Sequence, residues 1–178
     1  RKNNLKNNFE YILFDLDGTL LDTSELIVES FRYTFKQHCN YDISVSEVHD
    51  FFGKSLRLAM ETLGKDKADE LIDTYREHNA KYHDEKIAIF PEVAETIKTM
   101  YDNGIKLAVV TSKTKKTALR GLKLFGLESY FSTVIGINEC INPKPHPEPV
   151  NIALQELKLA PEFCLMVGDS PRSEEHTS

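Results

Sequence analysis

Asp15 and Asp17 stand two positions apart at the end of an apolar run, Tyr11-Ile12-Leu13-Phe14, within Asp15-Leu16-Asp17-Gly18-Thr19-Leu20. Side chains at i and i+2 of a strand share a face, so the carboxylates either neighbour one another or splay apart where the strand breaks at Gly18. Like charges that close are costly unless a cation or a shared proton relieves them. A hard divalent ion meets that need, and Mg²⁺, which prefers carboxylate oxygens, is the default candidate. The plainer alternative is a strand ending in a polar turn, for which Asp and Gly are ordinary residues.

Three later segments bring related chemistry to the ends of apolar runs. Residues 105–110 run into Thr111-Ser112-Lys113, which offers hydroxyls, backbone N–H groups and a cation at a helix start. That combination holds a phosphate well, although a simple helix N-cap uses the same residues. Residues 130–137 are followed by Asn142-Pro143-Lys144-Pro145-His146-Pro147, where prolines restrict the backbone on either side of the lysine. A lysine held in this way can neutralise phosphate and relieve the repulsion between carboxylates. Residues 163–167 end in Gly168-Asp169-Ser170, a third carboxylate. Each segment alone is ordinary; together they deliver Asp/Asp, Thr/Ser, Lys and Asp to successive strand ends.

The elements that must gather these residues are legible in outline. Residues 23–38 carry Leu26, Ile27, Phe31 and Phe35 at helical spacing. Ser44 and Glu47 have the spacing of a capping box and predict a short helix through residue 52, broken by Gly53. Residues 55–63 predict another helix, stopped by Gly64. Residues 66–84 place Ala68, Leu71, Ile72, Tyr75 and Tyr82 on one stripe. No convincing strand is visible between the first one and residue 105. From there helices over 92–101, 114–125 and 148–157 alternate with strands over 105–110, 130–137 and 163–167. The pattern predicts an α/β fold: a Rossmann-like parallel sheet core from residues 9–20 and 87–171, with an all-helical cap, residues 21–86, inserted between them. Ligands of such sheets bind outside the carboxyl ends of the strands, where the polar residues above lie.

Composition narrows the function. The 178 residues carry a formal charge of −6, which gives no general attraction to nucleic acid or to an anionic membrane surface. An anionic substrate therefore needs a local cationic pocket. No apolar run approaches the roughly 20 residues that span a bilayer, and no secretory segment is visible. Cys39, Cys140 and Cys164 are widely spaced and odd in number, as expected of reduced thiols in the cytoplasm. The histidines look unpromising as ligands: His78 and His83 are five apart and would not share a helical face.

The four segments together resemble the haloacid dehalogenase superfamily of phosphohydrolases. Asp15-x-Asp17-Gly18-Thr19 is similar to its first motif, Thr111 to its second, Lys144 to its third and Gly168-Asp169 to the start of its fourth. The helical insertion after the first motif resembles the cap of the phosphoglycolate-phosphatase-like branch. Within that branch, Thr23-Ser24-Glu25-Leu26-Ile27, Tyr75-Arg76-Glu77-His78-Asn79 and Lys144-Pro145-His146-Pro147-Glu148-Pro149-Val150 are similar to the inorganic pyrophosphatases.

The resemblance implies a two-step hydrolysis. Asp15 attacks phosphorus to form an aspartyl-phosphate, and Asp17 protonates the leaving group and then activates water. Asp17 therefore needs either a raised proton affinity or a well-placed hydrogen bond. Mg²⁺ would be held by Asp15, the main-chain carbonyl of Asp17 and Asp169, and Thr111, Ser112 and Lys144 would bind the phosphoryl oxygens. A second phosphate on the substrate calls for a further cation, with Lys54 in Gly53-Lys54-Ser55 the cap candidate and Lys113 the core-side alternative; Lys54 reads equally well as a solvated loop lysine. The expected partner is a small phosphorylated substrate, pyrophosphate first and phosphoglycolate or another small phosphomonoester second.

Two departures qualify the likeness. The fourth motif normally continues to a second Asp at the position held by Ser173, and a fifth strand with its closing helix would be missing from the core. Residues 1–8 read as a loose polar tail, and Arg172-Ser173-Glu174-Glu175-His176-Thr177-Ser178 is similar to a common sequencing adapter translated in one frame. The codons expected there are AGATCGGAAGAGCACACGTCT. The reading from outside the enzyme class is accordingly an inactive, truncated fragment.

Overall fold

The computed structural model describes residues 9–170. The expected tail 1–8, Ser173 and the adapter-like string lie outside the described residues. The chain opens with β1 (Tyr11–Phe14), then a two-residue strand β2 (Leu21–Asp22). Four helices follow: α1 (Ser24–Cys39), α2 (Val45–His49), α3 (Leu56–Gly64) and α4 (Ala68–Lys86). The chain returns through β3 (Ala88–Ile89) and α5 (Val93–Asp102) to β4 (Lys106–Val110), α6 (Lys115–Leu124), β5 (Phe131–Ile135), α7 (Glu148–Leu157) and β6 (Cys164–Val167).

The main sheet has the order β5-β4-β1-β6, and all its pairs are parallel. All four residues of β1 are buried, as in a strand covered on both faces. Its side chains alternate between two apolar clusters. Ile12 and Phe14 join Leu107, Val109, Ile97 and Leu122 on the α5/α6 side, while Leu13 joins Ala108, Val110, Val150 and Leu154 on the α7 side. The inserted helices have a cluster of their own, built on Phe31, Phe35, Met60, Leu71, Ile72 and Tyr75. Phe31 meets Tyr75 edge-on with ring centroids 5.2 Å apart, which ties α1 to α4.

Several expected boundaries move for identifiable reasons. The Ser44–Glu47 capping box forms as predicted, with Glu47 N–H donating to Ser44 Oγ at 3.2 Å and Ser44 N–H to Glu47 Oε2 at 2.9 Å. The helix nevertheless ends at His49, and residues 50–52 are a turn leading to Gly53 at φ +75°. The expected strand 130–137 is shortened at both ends because Glu128–Tyr130 and Ile137–Glu139 are single 3₁₀ turns. The absence of strands before residue 105 was a misreading. β2 and β3 pair antiparallel where the chain leaves and re-enters the core, Leu21 opposite Ile89 and Asp22 opposite Ala88. Among the described residues no helix is long and apolar enough to cross a membrane.

Candidate active site

All four main strands point their carboxyl ends at one rim. At the end of β1, Asp15 is 8% exposed and its Oδ1 accepts the Leu16 N–H at 2.8 Å. Its Oδ2 lies 3.3 Å from the Lys144 ammonium, a pair with both side chains largely buried. Lys144 Nζ has no hydrogen-bond partner among the described residues, so its contact with Asp15 is ionic rather than an aligned hydrogen bond. The Lys144 loop is held from behind by Glu148, whose carboxylate accepts the N–H groups of Ile141 at 2.6 Å and Asn142 at 3.0 Å and the Asn142 carboxamide at 2.7 Å. These bonds, the Ile141 N–H foremost, hold the Glu148 carboxyl below its usual range.

Asp17 and Asp15 face different neighbours. Asp17 Oδ1 accepts the Thr23 hydroxyl at 2.8 Å, and Oδ2 lies 3.5 Å from the Lys113 ammonium. Gly18, at φ +78°, turns the chain beside them, and a Cβ there would come within 2.2 Å of Asp169 Oδ2. Only glycine lets the Asp169 carboxylate settle against this turn. Burial, joined by the charges of Asp15 and Asp17, pushes the Asp169 carboxyl up.

The Thr111-Ser112-Lys113 turn is not the cap of α6. That role belongs to Thr114, whose Oγ1 accepts the Thr117 N–H at 3.3 Å. Thr111 is buried at the rim with its Oγ1 accepting the Lys113 N–H at 3.2 Å, and the Ser112 hydroxyl reaches the Gly53 carbonyl of the cap at 3.3 Å. Gly136 shapes this turn, because a Cβ there would lie 2.3 Å from Lys115 N.

A cavity of about 930 Å³ opens between rim and cap, lined by Asp15, Asp17, Thr111, Ser112, Lys113 and Asp169 from the core. Lys144 is not among its lining residues and supports Asp15 from behind. From the cap come Lys54, Arg57, Arg76, Asn79 and His83. Lys54 reaches the cavity as expected, with its ammonium 4.6 Å from the centroid of the Phe51 ring. The sequence reading missed Thr23, Arg76, Asn79 and His83 as site residues. The available signal was spacing: 79 and 83 extend the Tyr75 position by successive steps of four.

The donor set fits a divalent cation. Among the described residues, Asp15 pairs with the Lys144 ammonium and Asp17 with that of Lys113, which leaves the three carboxylates with one more negative charge than these two cations neutralise. Among the described residues no three His, Cys, Asp or Glu side chains gather tightly enough to enclose a metal by themselves. The expected set, two carboxylates and a main-chain carbonyl, does not need three side chains.

A family profile described as haloacid dehalogenase-like hydrolase matches residues 12–176. The chain belongs to this family of hydrolases and is an enzyme. PpaX of Caldanaerobacter subterraneus subsp. tengcongensis is 47% identical over 160 residues, covering 90% of this chain and 73% of that protein. The pyrophosphatase PpaX of Oceanobacillus iheyensis is 43% identical over 159 residues, 89% and 74% of the two chains. Among solved structures, a haloacid dehalogenase-like family hydrolase of Streptococcus pneumoniae superposes with a TM-score of 0.83 at 28% identity, covering 93% of this chain and 78% of that one.

Proposed function

We propose that the protein is a Mg²⁺-dependent phosphohydrolase that cleaves pyrophosphate through an aspartyl-phosphate on Asp15. The observation that carries this reading is the unequal treatment of the two rim carboxylates: Asp15 is backed by buried Lys144, and Asp17 is held by the Thr23 hydroxyl at the cavity wall. The first position suits a fixed nucleophile; the second suits a group that exchanges protons with a ligand. The names of the PpaX relatives support pyrophosphate as the substrate.

In the first step an Asp15 carboxylate oxygen bonds to phosphorus while the bridging P–O bond breaks, and the departing phosphate takes a proton from Asp17. In the second, Asp17 accepts a proton from water as the water oxygen attacks phosphorus and the Asp15–phosphorus bond breaks. Thr23 orients Asp17 through Oδ1 and leaves Oδ2 toward Lys113. Thr111 and Ser112 supply hydroxyls to the transferring phosphoryl oxygens, and Lys144 supplies its charge from behind Asp15 rather than from the cavity wall. Mg²⁺, held by Asp15, the Asp17 carbonyl and Asp169, would neutralise further phosphoryl charge.

The division into a core of residues 9–20 and 87–171 and a cap of residues 21–86 follows from the same reading: the core does the chemistry and the cap selects the substrate. The test is phosphate release from pyrophosphate and from phosphoglycolate, each with and without Mg²⁺, using Asp15→Asn as control. Preference for pyrophosphate that needs Mg²⁺ and disappears in the variant is expected. Preference for phosphoglycolate would retain the mechanism and replace the substrate.

A further inference from the structure

If pyrophosphate is the substrate, its second phosphate must be held somewhere beyond Asp15 and Thr111. Six cationic side chains line the cavity, and most are already engaged. Lys113 pairs with Asp17, Arg57 with Glu61 and Asp69, and Arg120 with Asp84, while Lys54 lies over the Phe51 ring. Arg76 and Lys116 have no ion-pair or hydrogen-bond partner among the described residues. Lys116 stands on α6 of the core. Arg76 stands on α4, and Asn79 and His83 follow it at i+3 and i+7, the spacing of one helical face.

Each member of this stripe has a polar group to offer. Asn79 is buried, and its Nδ2 donates to the Tyr75 hydroxyl at 3.4 Å, which leaves it a second hydrogen. His83 is buried, with Nδ1 2.7 Å from Asp84 Oδ1. An ionised carboxylate only accepts, so Nδ1 carries a hydrogen, and in the neutral ring that burial favours Nε2 keeps its lone pair. The stripe also runs beside the rim. The Asp17 charge contributes, after burial, to raising the Tyr75 hydroxyl at one end. At the other end burial lowers the His83 imidazole, with the Arg120 and Lys113 charges adding to the effect.

We propose that the α4 stripe of Arg76, Asn79 and His83 is the subsite for the departing phosphate, and that it selects a diphosphate over a monoester. Arg76 gives two parallel N–H bonds to the terminal phosphate, Asn79 a third, and His83 Nε2 accepts the hydrogen of a protonated phosphate oxygen. The assignment rests on the pyrophosphatase reading and moves the second-phosphate role from Lys54 and Lys113 to α4.

The test compares Arg76→Ala, Lys54→Ala and Lys116→Ala in the full chain on pyrophosphate and on p-nitrophenyl phosphate, which has no second phosphate. Arg76 is exposed, so its removal leaves the fold intact. Arg76→Ala should lower kcat/KM for pyrophosphate about 10- to 100-fold, the effect of losing charged hydrogen bonds, while p-nitrophenyl phosphate changes no more than about threefold. A binding readout stands beside it. In the Asp15→Asn background pyrophosphate should raise Tm, and adding Arg76→Ala should remove that shift while leaving the shift given by orthophosphate. Equal losses on both substrates, or a larger selective loss in Lys54→Ala or Lys116→Ala, would overturn the stripe while leaving the pyrophosphatase reading in place. Wild-type protein active on p-nitrophenyl phosphate but inert toward pyrophosphate would overturn both.

Discussion

Asp17 has two carboxylate oxygens, and the protein assigns them different neighbours. Thr23 fixes Oδ1 through a hydroxyl that begins the entry to α1, and Lys113 stands off Oδ2 at 3.5 Å. A proton-carrying group must be oriented without having both oxygens consumed, and this arrangement meets that condition. Removing the Thr23 hydroxyl frees the carboxylate to rotate. Thr23→Ala should therefore lower kcat about 10-fold on pyrophosphate and p-nitrophenyl phosphate alike, the scale of one hydrogen bond to a charged group, with KM little changed. Thr23→Ser should restore most of the rate in steady-state assays; a Ser variant as slow as Ala would remove the hydroxyl from the mechanism. The sequence pointed to Asp15, Asp17, Thr111 and Asp169 because they stand at the ends of apolar runs, and to Lys144 because prolines flank it in the loop after one. Thr23 was not visible in the same way, since its hydroxyl looked like that of any helix entry. Asn79 and His83 interrupt an apolar stripe, and only the folded chain shows that the polar continuation faces a cavity rather than solvent.

At the scale of elements, the rim depends on segments that touch no substrate. The Lys144 loop contains three prolines and follows a strand end, yet its anchor is the first residue of α7, Glu148. Its carboxyl is lowered in the folded protein, so the stability it contributes is complete above its unfolded value of about 4.3 and is lost as pH falls through the lower folded value. Thermal melts between pH 6 and pH 3 should show Glu148→Gln converging on the wild type at the acid end and lying below it at pH 6. Parallel curves over the whole range would dismiss the anchor. The sequence located α7 at 148–157, where the structure has it. It overextended α2 and β5 because apolar residues continue past the turn at Gly53 and into the 3₁₀ turns on either side of β5. A two-residue strand such as β2 or β3 has no period to detect, so that pairing could be found only in the folded chain.

Across the whole molecule, the inserted helices keep an apolar cluster of their own but meet the sheet through Leu26 and Tyr82, which pack into the sheet's cluster, as well as through polar contacts. Arg120 of α6 joins Asp84 through Nε at 2.9 Å and the Ala80 carbonyl through Nη1 at 3.0 Å, and Ser112 touches the Gly53 loop at the opposite lip. Both side chains of the Arg120–Asp84 pair are about half exposed, so its contribution is at most about 1 kcal/mol. Arg120→Ala should therefore lower Tm by no more than about 2–4 °C while speeding hydrogen exchange in the last turns of α4. A fall beyond 10 °C would mean that the pair supports the fold as well as the cap.

The paired crossings β2 and β3 have a consequence for the site. Two chains that leave and return side by side, bonded to each other, tether both ends of the helical insert at one place on the rim. The ribbon is also continuous with the site, since Asp22 lines the cavity and Thr23, the next residue, holds Asp17, so a strain on the tether reaches the reacting end of the molecule within one residue.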